Sequence, residues 1–320
     1  MIHAMNARTL GSSGIEVGAI GLGCMGMSWA YGTAEEADAL AVIHRALDLG
    51  ATLLDTSDVY GPFENEKLVG RALAGRRDEA VVATKCGLVV ADKETFDIRR
   101  DGSPEHIRAA CDASLERLGV DVIDLWYLHR VDEEVPVEES VGAMAEQVAA
   151  GKVRALGLSE VDVPTLERAM AVHPIAAVQS ELSLWTRDPL AEVVPYCREH
   201  GAAFVPFSPL GRGFLTGRIS ADASFDSSDF RGRNPRFAAE ALHANQAIAE
   251  RVRAVAERLG AAPGQVALAW VLAQGDHVIP IPGTKRLEYL EENVGAAEVV
   301  LGAADLAELD ALPAAVGSRY

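Results

Sequence analysis

Four polar residues stand at or just beyond the ends of apolar runs in the first half of the chain. Ala51-Thr52-Leu53-Leu54 leads into Asp55, and five positions later a loop presents Tyr60 beside Gly61. Val81-Val82-Ala83-Thr84 stops on Lys85, and the run from Val122 to Leu128 stops on His129. A lone loop Asp or Tyr most often serves a turn, but an ammonium that closes an apolar strand is rarely buried without a partner. The four together suit proton transfer at a carbonyl. An unperturbed phenol titrates near ~10, and an adjacent ammonium favours phenolate and lowers that value. The expectation is that Lys85 makes Tyr60 a usable general acid and that Asp55 pairs with Lys85 to keep it charged. His129 would hydrogen-bond the substrate oxygen from the other side. None of these groups carries a hydride, so a cofactor must.

Such groups meet only if the apolar runs are parallel strands that end on one rim. The pattern along the chain predicts this. Thr9-Leu10 and Ile15-Glu16-Val17 flank Gly11-Ser12-Ser13-Gly14 and read as a hairpin. Strands are then expected at 19–23, 51–55, 81–85, 122–129, 153–159, 176–181, 203–208 and 278–281. Amphipathic segments at 34–49, 64–74, 104–118, 137–150, 163–171, 190–199, within 245–260, at 263–274 and at 287–295 alternate with them. Eight apolar runs alternating with helices imply an α/β fold, a closed (β/α)8 TIM barrel with an N-terminal β-hairpin, in a single domain over 1–320. Thr33, with Glu36 three residues on, is expected to cap the first helix. The one long irregular stretch, 211–237, follows the seventh strand and is a candidate lid.

Gly21-Leu22-Gly23-Cys24-Met25-Gly26 matches G-x-G-x-x-G but is a decoy. A dinucleotide fold needs those glycines to open a helix at once, and here 27–32 intervene. Composition excludes other classes. A net charge of -18 argues against nucleic acid or an anionic membrane as partner. The first residues lack an apolar signal core and no run of 18 apolar residues occurs, so a cytoplasmic protein is expected. Cys24, Cys86, Cys111 and Cys197 show no C-x-x-C spacing. They read as free thiols rather than metal ligands, with Cys86 the more reactive because Lys85 is adjacent.

In barrels the loops after strands 7 and 8 make the phosphate site. Those loops are Phe207-Ser208-Pro209-Leu210-Gly211-Arg212-Gly213 and Pro282-Gly283-Thr284-Lys285-Arg286, each with glycine and a basic residue. Pocket walls are expected from Met27, Trp29, Tyr31, Phe63, Leu88, Arg130 and Trp185, a partly aromatic set that does not name its occupant.

The words Asp-Thr-Ser-Asp-Val-Tyr-Gly, Ala-Thr-Lys-Cys-Gly, Tyr-Leu-His-Arg, Leu-Gly-Leu-Ser-Glu, Phe-Ser-Pro-Leu-Gly-Arg-Gly-Phe-Leu and Ile-Pro-Gly-Thr-Lys-Arg follow in that order. From about 8 to about 300 the chain resembles the aldo-keto reductase superfamily. Gly21 to Trp29 resembles the branch that includes perakine reductase and auxin-induced-protein-like members. The resemblance implies a (β/α)8 barrel whose bottom the hairpin plugs. It also implies a small-molecule carbonyl substrate, NADPH/NADP+ as cofactor, and a catalytic tetrad at Asp55, Tyr60, Lys85 and His129. It further implies that Ser208, Leu210, Gly211 and Gly213 embrace the pyrophosphate and that Ser159 and Gln179 bind the carboxamide. Trp185 or Phe207 would lie against the nicotinamide. Gly283, Thr284, Lys285 and Arg286 would surround the 2′-phosphate, with Glu292 and Asn293 near the adenine. Tyr289 departs from the family pattern, standing where many members carry an Arg on that phosphate; the burden shifts to Lys285 and Arg286. Glu160 replaces a frequent Asn, and Leu182 a frequent Tyr.

Two rivals stay open and one does not. A Schiff-base lyase would use Lys85 as its amine, which Asp55 would oppose by stabilising the charge. A cofactor-bound accessory protein of the channel β-subunit type would share fold and tetrad. A short-chain dehydrogenase needs Tyr and Lys four apart, and none of the six tyrosines has that partner.

Overall fold

The computed structural model describes residues 6–32, 34–92, 97–226 and 229–319. Its first element is an antiparallel hairpin of β1 (Ala7–Thr9) and β2 (Glu16–Gly18). There follow β3 (Leu22–Gly23), α1 (Glu36–Asp48), β4 (Leu53–Asp55), α2 (Glu64–Ala72) and β5 (Val81–Cys86). A second hairpin, β6 (Leu88–Asp92) and β7 (Asp97–Arg100), precedes α3 (Pro104–Leu118). Next come β8 (Ile123–Leu128), α4 (Val137–Ala149), β9 (Val153–Ser159), α5 (Val163–Met170), β10 (Ile175–Glu181), α6 (Val193–Glu199) and β11 (Ala203–Phe207). The helices α7 (Ala239–Leu259), α8 (Pro263–Leu272), α9 (Leu287–Gly295) and α10 (Ala303–Asp310) complete the described elements.

Seven strands form one parallel sheet in the order β11-β10-β9-β8-β5-β4-β3. The predicted eighth strand at 278–281 does not form a full ladder, and its prolines explain why. On the β11 side Ile279 and Ile281 donate to Phe204 and Pro206 carbonyls at 2.8 and 3.0 Å. On the β3 side the donors would be Pro280 and Pro282, which have no N–H. Only their carbonyls act there, accepting from Gly21 at 2.9 Å and Gly23 at 3.2 Å. The segment therefore closes the sheet into a barrel by isolated bridges.

Strand side chains alternate between faces, so residues two apart share the barrel interior. Leu53, Val81, Ala83, Leu125, Tyr127, Ala177, Val205 and Ile279 fill it, and the hairpin residues Leu10, Ile15 and Val17 pack into the same cluster. The hairpin plugs the barrel bottom. Gly157 belongs to this face because a Cβ there would sit 2.4 Å from the Tyr127 ring. The opposite face, with Leu54, Val82, Trp126, Leu158, Val178 and Phe204, packs against the helices.

Local chemistry sets the helix ends. Ser103 caps α3 by accepting from the His106 N–H, Pro104 opens the first turn, and Gly119 at φ 64° ends it. The expected Thr33 cap lies outside the described residues; α1 begins at Glu36 with Glu35 at the cap position. Three features had escaped the apolar pattern: the β6–β7 hairpin, α10, and the start of α7 at Ala239.

Candidate active site

The interior alternation that is apolar low in the barrel turns polar at its upper rim. Two residues above Leu53, Ala83 and Tyr127 come Asp55, Lys85 and His129; two above Gly157 and Ala177 come Ser159 and Gln179. Register aligns them, with Asp55 opposite Ala83, Lys85 opposite Tyr127, and Gln179 opposite Ser159. Tyr60 reaches the rim from the turn after β4, where its N–H donates to Ser57 O at 3.2 Å.

Lys85 is fully buried, and its three ammonium protons have three acceptors: Asp55 Oδ1 at 2.5 Å, Thr56 O at 2.7 Å and the Tyr60 hydroxyl at 3.4 Å. Gln179 donates to the second Asp55 oxygen at 2.7 Å. The His129 ring lies edge-on to Tyr60 with centroids 5.9 Å apart, and Trp29 packs on the phenol at 6.0 Å. The four residues singled out in the sequence thus share one rim. Asn65, which no motif pointed to, ties the loops together: it accepts from Thr56 Oγ1 at 2.7 Å and donates to Cys24 O and Ser28 Oγ.

The electrostatics correct one expectation. Burial pushes the Tyr60 phenol up, and Lys85 only partly offsets this, so the phenol stands above its ordinary value rather than below it. A protonated phenol is the state from which a general acid must start, and the ammonium limits the rise. Burial alone would pull Lys85 down, but Asp55 and Tyr60 outweigh it and the ammonium holds its proton more tightly than usual. Burial, Lys85 and Arg130 hold His129 well below the ordinary imidazole value, so its ring is neutral. Cys86 is not reactive: burial drives its thiol well above the ordinary range, and all four cysteines are buried and unpaired.

Asp58, next to these four residues, is pushed up to about 8 by burial and then by Glu66. A carboxyl whose folded value exceeds its unfolded one binds its proton more tightly when folded. Its stabilising share is full below the unfolded value near ~4 and is lost as pH rises through about 8. Thermal midpoints should therefore fall between about pH 5 and 8 in the wild type and level off above that, and Asp58→Asn should flatten that fall. Parallel slopes for the two proteins would assign it to other groups.

The loops after β11 and after 278–281 behave differently from one another. Ser208, Gly211, Arg212 and Gly213 all have left-handed backbone, at φ 48°, 55°, 56° and 91°, which winds the chain tightly beside Leu210. Arg212 does not face the solvent side of this loop: it is buried and donates to Glu181 Oε2 at 3.0 Å, in a cluster that includes Arg236 and Arg319. Glu160, at φ 55°, pairs with Arg319. The second loop carries Gly283, Thr284, Lys285 and Arg286 into α9, whose N-cap position is Arg286 with no side-chain cap. Arg286 lies over the Tyr289 ring at 5.3 Å, and Arg218 covers the same ring at 4.3 Å while pairing with Glu292 at 2.6 Å. Arg218 was missed because its loop has no periodic pattern. Lys285 donates to Tyr31 O at 2.8 Å, and Asn293 is buried.

Pocket residues divide in the same way. Met27, Trp29 and Tyr31 lie in the loop after β3, Leu88 starts β6, and Arg130 donates to His129 O and Ser159 Oγ at 2.6 and 3.1 Å. Two expectations change. Trp185 is packed away, stacked on Phe214 at 4.2 Å with Gly211 so close that a Cβ there would lie 2.8 Å from the indole; the half-buried aromatic at the upper end of β11 is Phe207. Phe63 is exposed and covers Arg117 at 4.7 Å. The stretch 211–237 includes three short 3-10 turns, and Phe230 N donates to Ala30 O at 3.0 Å, so it reaches across to the loop after β3. Among the described residues no group of three or more His, Cys, Asp or Glu is arranged to hold a metal, and no helix is long and apolar enough to cross a membrane.

The sequence model of the Aldo/keto reductase family matches residues 19–314. The chain belongs to the aldo/keto reductase family. Members are NAD(P)-dependent oxidoreductases, and this chain is one. It is 47% identical over 316 residues to probable aldo-keto reductase 1 of Glycine max, covering 97% of this chain and 90% of that protein. Its structure is similar to the glycerol dehydrogenase of Gluconobacter oxydans, with a TM-score of 0.87, 31% identity, and coverage of 96% and 94% of the two chains. An aldo-keto reductase of Klebsiella pneumoniae solved in complex with NADPH gives a TM-score of 0.74 at 26% identity, covering 96% and 95%.

Proposed function

We propose that this family member reduces an aldehyde or ketone to an alcohol with NADPH, Tyr60 being the general acid. The observation that carries the reading is the fully buried Lys85 ammonium, shared between Asp55 Oδ1 at 2.5 Å and the Tyr60 hydroxyl at 3.4 Å. The tetrad is Asp55, Tyr60, Lys85 and His129. In reduction Tyr60 gives its proton to the carbonyl oxygen as that oxygen gains charge, and Lys85 stabilises the phenolate left behind. Neutral His129 donates a hydrogen bond to the same oxygen and so orients the substrate. Asp55 and Gln179 hold the ammonium where it acts.

The residues present fit a nicotinamide dinucleotide. Left-handed backbone at Ser208, Gly211 and Gly213 makes a tight loop at Leu210 that suits a pyrophosphate, and Ser159 and Gln179 stand at the rim where a carboxamide would be held. The uncapped N-terminus of α9, with Gly283, Thr284, Lys285 and Arg286 before it and Arg218 across Tyr289, suits a dianionic 2′-phosphate better than a ribose hydroxyl. Glu292 and Asn293 then lie toward the adenine. Bound NADPH would supply the hydride. The likeness to the Klebsiella pneumoniae protein, whose structure holds NADPH, supports the same choice.

Replacing both Lys285 and Arg286 by Ala should raise the KM for NADPH roughly a hundredfold or more, since each of the two charge-assisted bonds contributes ~1.5–3 kcal/mol. The KM for NADH should move little. Equal effects on both cofactors would refute the phosphate assignment. A panel of aldehydes and ketones, followed by nicotinamide absorbance with each cofactor in turn, tests the reaction itself. A Schiff-base reading needs a neutral Lys85, and an ammonium whose three protons already have acceptors has no lone pair to offer.

A further inference from the structure

Behind His129 lies a buried carboxyl that the tetrad does not use. Ser57 Oγ sits 3.1 Å from His129 Nδ1 and 3.1 Å from Asp58 Oδ1, and all three residues are buried. A hydroxyl has one proton to give. It can donate to the imidazole or to the carboxyl, and whichever it does not serve must donate to it. We infer that Asp58, acting through Ser57, decides which ring nitrogen of His129 carries the proton, and so whether His129 can donate to a carbonyl oxygen. Asp58 is a positioning residue in this scheme, which rests on the assignment of His129 as the donor to substrate.

Two states follow, differing by one proton. When Asp58 is protonated it donates to Ser57 Oγ, Ser57 donates to Nδ1, and the neutral ring keeps its proton on Nε2, facing the substrate side. When Asp58 is ionised it accepts the Ser57 proton, the ring must donate from Nδ1 to Ser57, and Nε2 is a bare lone pair. One proton has gone to solvent. A lone pair facing a carbonyl oxygen repels it, so reduction loses its second donor.

The surroundings let Asp58 hold its proton near neutrality. Glu66 stands close and raises it. Arg117, the cation of α3 on this side, is drawn to Glu66 with Nε to Oε2 at 2.5 Å, and Thr84 donates to the other Glu66 oxygen at 2.6 Å. The Cys86 thiol of β5 is a further titratable neighbour, and the Val59 N–H, which donates to Ser57 Oγ at 3.4 Å, opposes the rise. His129 is faced by Lys85, Arg130 and the Tyr60 ring. Both cations keep the ring neutral in either state, and Asp58 lies in the range around pH 8.

The test is nitrogen NMR of the full-length protein labelled with 15N-histidine, with the His129 signals identified by their loss in His129→Gln. In the wild type the ring should pass from Nε2–H to Nδ1–H between about pH 7 and 9. In Asp58→Asn, whose amide can donate to Ser57 at every pH, it should stay Nε2–H throughout. In Ser57→Ala the tautomer should no longer follow pH, and Ser57→Thr should restore the dependence. Reduction by the wild type should fall about fivefold from pH 8 to pH 9, and that limb should vanish in Asp58→Asn. One tautomer at all pH values in the wild type, or a switch that survives Asp58→Asn, overturns the inference. The spectra need no turnover, so a correct switch in a protein that reduces no carbonyl would count against the reductase reading and not against this one.

Discussion

Tyr60→Phe should lower kcat for carbonyl reduction by about 10²–10⁴-fold, the range over which a positioned general acid contributes. The change deletes one oxygen and little volume. Among the described residues its hydroxyl is hydrogen-bonded by Lys85 at 3.4 Å, a long contact, so stability should fall by no more than about 1 kcal/mol. NADPH affinity should be unaltered, because the phenol lies at the barrel rim and the phosphate loops are elsewhere. Fluorescence titration with NADPH alongside steady-state kinetics separates the two effects. Turnover undiminished in a folded Tyr60→Phe protein would remove the tetrad from consideration.

Lys85→Met should do damage of two kinds. The ammonium balances Asp55 in a site with almost no solvent access, and breaking such a pair on one side costs about 3–5 kcal/mol because a buried carboxylate is left uncompensated. Asp55 would retain Gln179 as a donor and would take up a proton. The second effect is chemical. Burial already holds the Tyr60 phenol above its ordinary value, and Lys85 is the main influence opposing that rise. Without it the phenol moves higher still, so the rate falls and the alkaline limb for alcohol oxidation shifts to higher pH. Adding Asp55→Asn should recover much of the stability, measured by denaturant titration, and none of the rate. An unchanged pH profile in Lys85→Met would show that the ammonium does not tune the phenol.

Most of the barrel, and the meeting of Asp55, Tyr60, Lys85 and His129 at one rim, could be read from the chain because the signals are local and redundant. Val81 to Lys85 and Val122 to His129 are apolar runs that stop on a polar group, and a parallel strand buried on both faces must look like that. The helix over Pro104–Leu118 could be placed to the residue, since Ser103, Pro104 and Gly119 are each a separate end signal. The eighth strand was legible as an apolar run but not as a partial ladder, although its two prolines announced the missing donors. The β6–β7 hairpin passed unnoticed; its strands flank residues outside the described set and its second strand is mostly charged and exposed.

Side-chain direction around the site was less accessible. Arg212 sits in a glycine-rich loop motif and Trp185 was expected at the pocket wall, and both are instead turned into the packing beneath the loop, one onto Glu181 and the other onto Phe214. Arg218, which no motif marked, is brought over Tyr289 by a long irregular stretch. Type and order of residues decided that strands would alternate with helices and that an aspartate, a tyrosine, a lysine and a histidine would arrive at one rim, because period and polarity are properties of neighbours along the chain. How strongly the phenol holds its proton, and which cation faces solvent, were settled only by folding, because burial and charge depend on groups far apart in sequence that the closed barrel brings within a few ångströms.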